Sequence, residues 1–255
     1  MGGLDYVLGS DFQSDIAAQS LRWDKEWMRY LSIHRDYNFY FYDMDTPSYA
    51  LTVGASRIAS FTCKETYSVK LFKTQAAQVW APGSALVGKT VLEMGCGPGM
   101  FGRMASRFVG RFIGIDASHF ALHIARLTSP KNCEYVHLGD AEKIGALRGV
   151  ADTCVGRNFF IHHNYTDSIW ILRLLKDVLA PGGIISADFY YNPGRVGEPR
   201  RYTAADPLDG EHASALYHFE EEDILGLAGE CGLEVASTEK QPHLERHFAT
   251  FRRLE

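Results

Sequence analysis

The sequence predicts an α/β fold: a doubly wound, mostly parallel sheet of seven strands with an antiparallel C-terminal strand, preceded by a helical, aromatic-rich lid segment. Three observations point there. From Leu86 onward, short β-rich runs alternate with helical patterns, which is the rhythm of a parallel sheet with helices on both faces. The first of those runs ends in a glycine cluster that leads into a helix. Ahead of the alternation the composition changes: 15 of the chain's 32 aromatic residues fall within residues 1–85.

The elements follow in order. Ile16, Ser20, Trp23, Trp27 and Tyr30 recur every three or four residues, so Gln13 to Ile33 reads as an amphipathic helix. Tyr37 to Tyr42 is nearly all aromatic, Lys64 to Trp80 has a second helical pattern, and Ala81-Pro82-Gly83-Ser84 reads as a joint. Thr90 to Met94 is the first strand, followed by a helix carrying Phe101, Met104, Ala105 and Phe108. Arg111 to Asp116 and Cys133 to Leu138 are the next strands, with a helix over Ser118 to Leu127 between them. Ala151 to Val155 begins a fourth strand. A stripe of Ile169, Leu172, Leu175 and Leu179 marks a helix that stops at Pro181-Gly182-Gly183, and Gly183 to Tyr190 is the fifth strand.

Residues 192–218 are rich in Pro, Gly and charge and lack periodicity. They are longer than an ordinary connection and read as a substrate-side loop or insertion. Four acids at Glu220 to Asp223 then sit where a helix N-terminus favours them, with Gly232 as the cap at the far end. Leu233 to Lys240 and His247 to Arg253 are the last two strands, close enough to pair antiparallel. The chain divides into a helical, aromatic-rich part at 1–85 and an α/β core at 86–255.

Composition narrows the function classes. The formal net charge is −5, so no basic field is available for a phosphate backbone and nucleic acid is a poor partner. Five cysteines at irregular spacing, with no C-x-x-C, read as reduced cytoplasmic thiols. No apolar run approaches the ~20 residues that cross a bilayer, and the N-terminus lacks a signal-peptide pattern, so a membrane is not expected as a partner. His119/His123 and His243/His247 have i, i+4 spacing, but no Glu completes an H-E-x-x-H pattern, and no metal is predicted.

The segment Val91 to Gly102, VLEMGCGPGMFG, carries the chemistry. A strand running into glycines and then a helix lets the backbone approach a ligand closely and offers it free N–H donors. Two templates fit. Gly97-x-Gly99-x-x-Gly102 satisfies the dinucleotide fingerprint. In the other register, Glu93-x-Gly95-x-Gly97-x-Gly99 resembles motif I of the class I S-adenosylmethionine (SAM)-dependent methyltransferases. Further pieces follow in the family's order. Gly114-Ile115-Asp116 resembles its second strand ending in an acid, and Gly139-Asp140-Ala141-Glu142 its acidic turn after the third. Asn158-Phe159-Phe160-Ile161-His162-His163 resembles the segment after its fourth strand, and Val178 to Gly183 the turn before its fifth. The resemblance covers about residues 86 to 255.

That resemblance implies SAM as cofactor. It implies cofactor contacts from Glu93, Gly95, Cys96, Gly97, Gly99, Asp116, Ala117, Asp140, Ala141 and Asn158, with Asp140 at the adenine amine. Asp116 lies 21 residues after Gly95, where a carboxylate accepts from ribose hydroxyls in either template. Glu93 favours SAM, because a carboxylate beside the loop repels a pyrophosphate but suits an ammonium and a sulfonium.

His163 and His162, after the fourth strand, are the candidate general bases, with His163 placed first. Tyr190, Tyr191 and Arg195 are candidate substrate contacts. Asn158 is followed by Phe-Phe-Ile rather than the Pro-Pro-Tyr/Phe of enzymes that methylate nucleobase amines. A small, apolar or aromatic metabolite methylated on oxygen or nitrogen is therefore the expected acceptor, under an N-terminal lid that excludes water. The alternatives are a SAM-binding protein of the same fold without methyl transfer, and an NAD-dependent oxidoreductase. The aromatic segment also suits a homodimer contact.

Overall fold

A computed structural model describes residues 15–33, 87–106, 109–191, 217–241 and 246–254. The N-terminal helix α1 spans Ile16–Ile33. The core then runs β1 (Thr90–Met94), α2 (Met100–Ala105), β2 (Arg111–Asp116), α3 (His119–Thr128), β3 (Cys133–His137), α4 (Ala141–Gly145), β4 (Ala151–Gly156), a 3₁₀ turn (Phe160–His162), α5 (Tyr165–Val178), β5 (Leu179–Tyr190), α6 (Glu221–Cys231), β6 (Leu233–Gln241) and β7 (Arg246–Arg253). The pattern at 64–80, most of the 1–85 segment, and the loop at 192–216 with Arg195 lie outside the described residues.

The seven strands form one sheet in the order β3-β2-β1-β4-β5-β7-β6. β7 runs antiparallel to both its neighbours, and the other pairings are parallel. β1 lies at the centre with β2 and β4 on either side, so its carboxyl end, where the chain order reverses, is the crevice of a doubly wound sheet. A dinucleotide-binding sheet with order 3-2-1-4-5-6 has no antiparallel strand inserted between its fifth and sixth. Here β7 occupies that position, which separates the two templates that the glycine loop alone left open.

Side chains alternate across the sheet as pleating demands. Val91 packs with Phe101, Phe112, Leu122 and Tyr135 under α2 and α3. Leu92 and Met94 join Ile113, Ile115, Phe160, Leu175, Phe189 and Phe251 in the larger core, which α5 and α6 help to build. Local signals set the helix ends. Ser118, Asp140 and Asn164 each accept a backbone N–H in the first turn of α3, α4 and α5. Glu220 and Asp223 form a reciprocal capping box on α6, and Gly232 ends it in the left-handed conformation.

One boundary differs from the sequence reading. β5 begins at Leu179, directly after α5, and Pro181-Gly182-Gly183 lies inside the strand. The register advances from Leu179 opposite Ala151 to Ile184 opposite Thr153, so extra residues are looped out as a bulge. Gly182, at φ 74°, supplies the left-handed residue. Pairing of Leu179 with β4 outweighs the turn propensity of Pro-Gly-Gly. Among the described residues no helix is long and apolar enough to cross a membrane.

Candidate active site

The glycine loop is built by three backbone demands. Gly95, Gly97 and Gly99 all have positive φ. At Gly95 a Cβ would strike the Phe159 ring, and at Gly97 it would lie 2.6 Å from the Trp27 ring, so neither position accepts a side chain. The N–H groups of Gly95 and Cys96 both donate to the Ile115 carbonyl, tying the loop to β2. The Asp116 carboxylate then accepts from Gly97 N–H at 2.8 Å and from Ser118 N–H at 2.8 Å. Loop and strand end are therefore one unit.

Beside this unit lies a cavity of about 360 Å³. Gly95, Cys96, Gly97, Pro98 and Met100 form one wall, and Asp116, Ala117 and Leu138 another. Arg157, Asn158, Phe159, His162 and His163 contribute the end of β4 and the turn beyond it, and Gln19, Trp23, Glu26 and Trp27 of α1 close the top.

The covering helix α1 is held by polar contacts at the end of the cavity near β2 and β3. Asp24 accepts from Ser118 Oγ at 2.6 Å and from Phe120 N–H at 2.9 Å, at the N-terminus of α3, where the helix dipole favours a carboxylate. Ser20 Oγ lies 2.9 Å from His137 Nε2. His137 Nδ1 accepts from Gly139 N–H, which leaves the ring proton on Nε2 facing the Ala117 carbonyl at 2.7 Å. The His137 ring stacks on His119, with centroids 3.8 Å apart.

The residues anticipated from sequence divide into those that line the cavity and those that do not. Gly95, Cys96, Gly97, Asp116, Ala117, Asn158, His162 and His163 line it together. Gly99 does not. It initiates α2 in the left-handed conformation, against Tyr135 and Ala125. Glu93 also stands behind the wall: it is 1% exposed, and its Oε1 accepts from Arg157 Nε at 2.9 Å. Burial raises its carboxyl and the Arg157 guanidinium opposes that shift. With Arg157 beside it, Glu93 no longer repels an anion by itself. The strand order, not this acid, argues against a dinucleotide.

Asp140 caps α4 and binds Lys143 Nζ at 2.7 Å in the open, and Lys143 holds its carboxyl below the usual range. Neither it nor Ala141 lines the cavity, because the side chain is consumed by its own helix start. Tyr190 packs under the Arg246 guanidinium at 5.1 Å from its ring, and Tyr191 meets His247 edge-on and carries Lys240 Nζ over its face at 3.5 Å. Neither tyrosine is among the residues that line the cavity.

The two histidines differ in chemistry. Burial, reinforced by His162 and Arg22, pushes His163 down to about 3, so it stays neutral and binds a proton weakly. Its ring lies against Phe159, centroids 4.3 Å apart. His162 is half-buried and meets the Trp23 ring edge-on at 4.9 Å. The sequence placed His163 first; the structure puts both rings at the cavity and buries His163 more deeply.

Sequence reasoning missed Arg157, and it missed a second buried pair beneath Asn158. Asp188 on β5 accepts from Arg246 Nε on β7 at 2.9 Å, both nearly inaccessible, and its other oxygen accepts Asn158 N–H at 2.7 Å. Arg246 also reaches Asn158 Oδ1 at 3.4 Å. Asn158 is the one non-glycine residue with positive φ among the described residues, at 51°. A residue in that strained region persists where its surroundings over-determine it. Among the described residues no three His, Cys, Asp or Glu side chains stand together as a metal site.

Comparison with known proteins shows what the chain is similar to. A sequence-family model described as a methyltransferase domain matches residues 91–183. The ubiquinone biosynthesis O-methyltransferase of Dinoroseobacter shibae is 31% identical over 101 residues, covering 38% of this chain and 40% of that protein; the chain thus matches about two fifths of that relative's length. Among solved structures, the magnesium protoporphyrin IX methyltransferase of Synechocystis PCC 6803 with bound S-adenosylhomocysteine (SAH) aligns with a TM-score of 0.54 and 17% identity, covering 88% of this chain and 99% of that one. A SAM-dependent methyltransferase from Mesorhizobium loti aligns with a TM-score of 0.53 and 18% identity, covering 72% of this chain and all of that one, 100%. At such identities the structural likeness establishes the fold alone.

The buried pair beneath Asn158 makes one prediction. Asp188→Ala leaves the Arg246 guanidinium buried without its carboxylate, and breaking one side of such a pair costs about 3–5 kcal/mol. Urea denaturation followed by circular dichroism should show a midpoint shifted down with an unchanged slope. A loss below about 1 kcal/mol refutes the pair's structural role.

Proposed function

We propose that this chain, a class I SAM-dependent methyltransferase by its domain at residues 91–183 and its sheet order, transfers the methyl group of SAM to an oxygen or nitrogen of a small apolar or aromatic molecule. The observation that carries the reading is the Asp116–Gly97 unit, a carboxylate clasping a glycine-rich loop at the carboxyl end of β1, facing a cavity roofed by tryptophans.

The residues present fit the cofactor. Gly95, Cys96, Gly97 and Pro98 line the cavity beneath the Phe159 and Trp27 rings, so a ligand there would meet loop backbone with few side chains in the way. The Asp116 carboxylate takes Gly97 N–H on one oxygen and Ser118 N–H on the other, with Ala117 N–H beside them, and it faces the cavity where ribose hydroxyls would lie. Leu138 and Ala117 offer an apolar surface to adenine. Bound SAM supplies an electrophilic methyl group on a sulfonium. The protein's part is to align the acceptor and exclude water, which can supply ~7–11 kcal/mol of the barrier.

The acceptor class rests on the lining. Trp23, Trp27, Phe159 and Met94 are apolar or aromatic, with His162 among them. A flat, apolar acceptor suits these walls, and a polymer does not suit a roofed cavity. His162 is the candidate base for a hydroxyl acceptor. His163, held neutral, orients or packs. The N-terminal segment, with α1 as its described part, is the proposed lid.

Incubating the protein with methyl-labelled SAM and a metabolite extract should yield SAH and a labelled small molecule. Absence of SAH with every extract would overturn the transfer reading. With a hydroxyl acceptor in hand, His162→Gln should lower kcat by about 10²–10⁴-fold, the range for losing a general base, while His163→Gln should change it by less than about tenfold. Equal effects would refute this assignment of the base.

Asp116 predicts a pH dependence. Desolvation pushes its carboxyl up to about 6, against the bonds from Ser118, Gly97 and Ala117 that lower it. Hydroxyl donors bind the ionised form best. Affinity for SAH should therefore rise about tenfold from pH 5 to pH 7 and level off, as the ionised fraction does. Asp116→Asn should bind more weakly by over ~1 kcal/mol and flatten that profile. Stability of the ligand-free protein runs the other way. A carboxyl whose folded value lies above its ordinary 3.8 holds its proton more tightly when folded, so stability falls as pH climbs from about 4 to about 6. Calorimetric titration across that range checks the binding arm, and thermal melting checks the stability arm.

A further inference from the structure

Arg157 follows the last residue of β4 and is the one cavity-lining arginine among the described residues. Three contacts fix it. Nε donates to Glu93 Oε1 at 2.9 Å, one face of the guanidinium lies on the Phe101 ring at 4.5 Å, and its side chain is only 14% exposed. Among the described residues its two terminal nitrogens have no protein acceptor. Glu93 cannot turn away to other partners. It is 1% exposed, and its second oxygen has no hydrogen bond.

A guanidinium held by Nε and stacked on a ring has little rotamer freedom left to lose. Its remaining N–H groups present a planar, charged donor edge. That edge suits a carboxylate, which accepts two such bonds side by side. Its place in the cavity identifies which carboxylate. Asp116, Ala117 and Leu138 line the end that suits a nucleoside. Arg157 stands with Asn158, beyond the glycine loop, at the ends of the strands β1 and β4. A ligand with ribose hydroxyls at Asp116 and a chain running along Gly95–Pro98 brings its far end to Arg157.

We propose that Arg157 is the receptor for the α-carboxylate at the amino-acid end of the cofactor, and that Glu93 is a positioning residue that acts through Arg157. The inference rests on the methyltransferase reading and deepens it. Glu93 thereby takes a role different from the one its place in the motif suggested: its charge aims the arginine and does not meet the ligand. A purely structural role, in which Arg157 only neutralises Glu93, predicts no sensitivity to the ligand's carboxylate.

The test uses the full chain and three ligands that differ at one end: SAH, its decarboxylated analogue, and 5′-methylthioadenosine, which lacks the amino-acid end altogether. Calorimetric titration should give the native protein at least a ~10-fold preference for SAH over the decarboxylated analogue, the scale of a hydrogen bond to a charged group. Arg157→Gln should erase that preference to within about threefold while leaving affinity for 5′-methylthioadenosine within about threefold of native. Arg157→Lys, which keeps the charge but loses the fork, should retain part of the preference, and it serves where the Gln variant does not fold. Glu93→Gln should reduce the preference without abolishing it.

Arg157 variants that keep the full preference for SAH overturn the proposal and leave the methyltransferase reading intact. Failure of native protein to bind any of the three ligands, 5′-methylthioadenosine included, overturns both.

Discussion

The hydrogen bond from Gly97 N–H to the Asp116 carboxylate is the constraint on which the rest of the site depends. A loop of three left-handed glycines has more conformational freedom to lose than any other stretch of the core. It becomes a defined surface only because β2 holds it at two heights, through the Ile115 carbonyl and through Asp116. That in turn requires β1 and β2 to be adjacent and parallel in the observed register, with Glu93 opposite Gly114 and Met94 opposite Ile115. The same carboxylate accepts from Ser118 N–H, at the residue that caps α3, so the loop, the strand end and the helix start share one acceptor.

The N-terminal helix is fastened to this unit and not merely laid over it. Asp24 bonds to Ser118 Oγ and Phe120 N–H, next to the Ser118 N–H that Asp116 holds. Two carboxylates thus converge on the first turn of one helix, and Asp24 is among the influences that raise the Asp116 carboxyl. Trp27 then reaches the Gly97 backbone, and Trp23 reaches His162. The excess of aromatic residues in the first third of the chain therefore has, over the described part of α1, a definite use: two of its rings form the roof of the cavity.

Much of the fold was legible because burial and termination signals coincide in it. β1 and β2 have the predicted bounds; both are buried runs, β1 stopped by the glycine loop and β2 ending on Asp116, whose carboxylate bonds to the backbone of that loop and of the α3 start. The α6 cap at Gly232 and the capping acids were readable for the same local reason. The start of β5 was not, since a bulge forms only when a neighbouring strand offers pairing, and no local signal carries that. In the site, spacing along the sequence was enough to bring Gly95, Gly97 and Asp116 to one cavity. Asp140 was assigned from resemblance, although Lys143, three residues on, offered a competing partner within the sequence itself. Arg157 could not be found in that way, because its meaning comes from Glu93, 64 residues earlier.

Two acid–arginine pairs flank the end of β4, and on the proposed methyl-transfer reading they set where selectivity for an acceptor would arise. Glu93 with Arg157 holds one side, and Asp188 with Arg246 holds the other, with Asn158 strained between them. Buried charges that are paired and hydrogen-bonded resist rearrangement, since moving either partner exposes an uncompensated charge. This end of the cavity is therefore rigid, and it suits the part of a ligand that never changes from one turnover to the next. Variation would enter where contacts are apolar and adaptable: the Trp23 and Trp27 face of α1 and the half-buried His162 opposite it. A tilt of α1 about its Asp24 and Ser20 anchors would reshape that face while leaving Asp116, Asn158 and Arg157 in place. Discrimination between acceptors is then expected to track substitutions on α1, and binding of SAH to track substitutions at the strand ends.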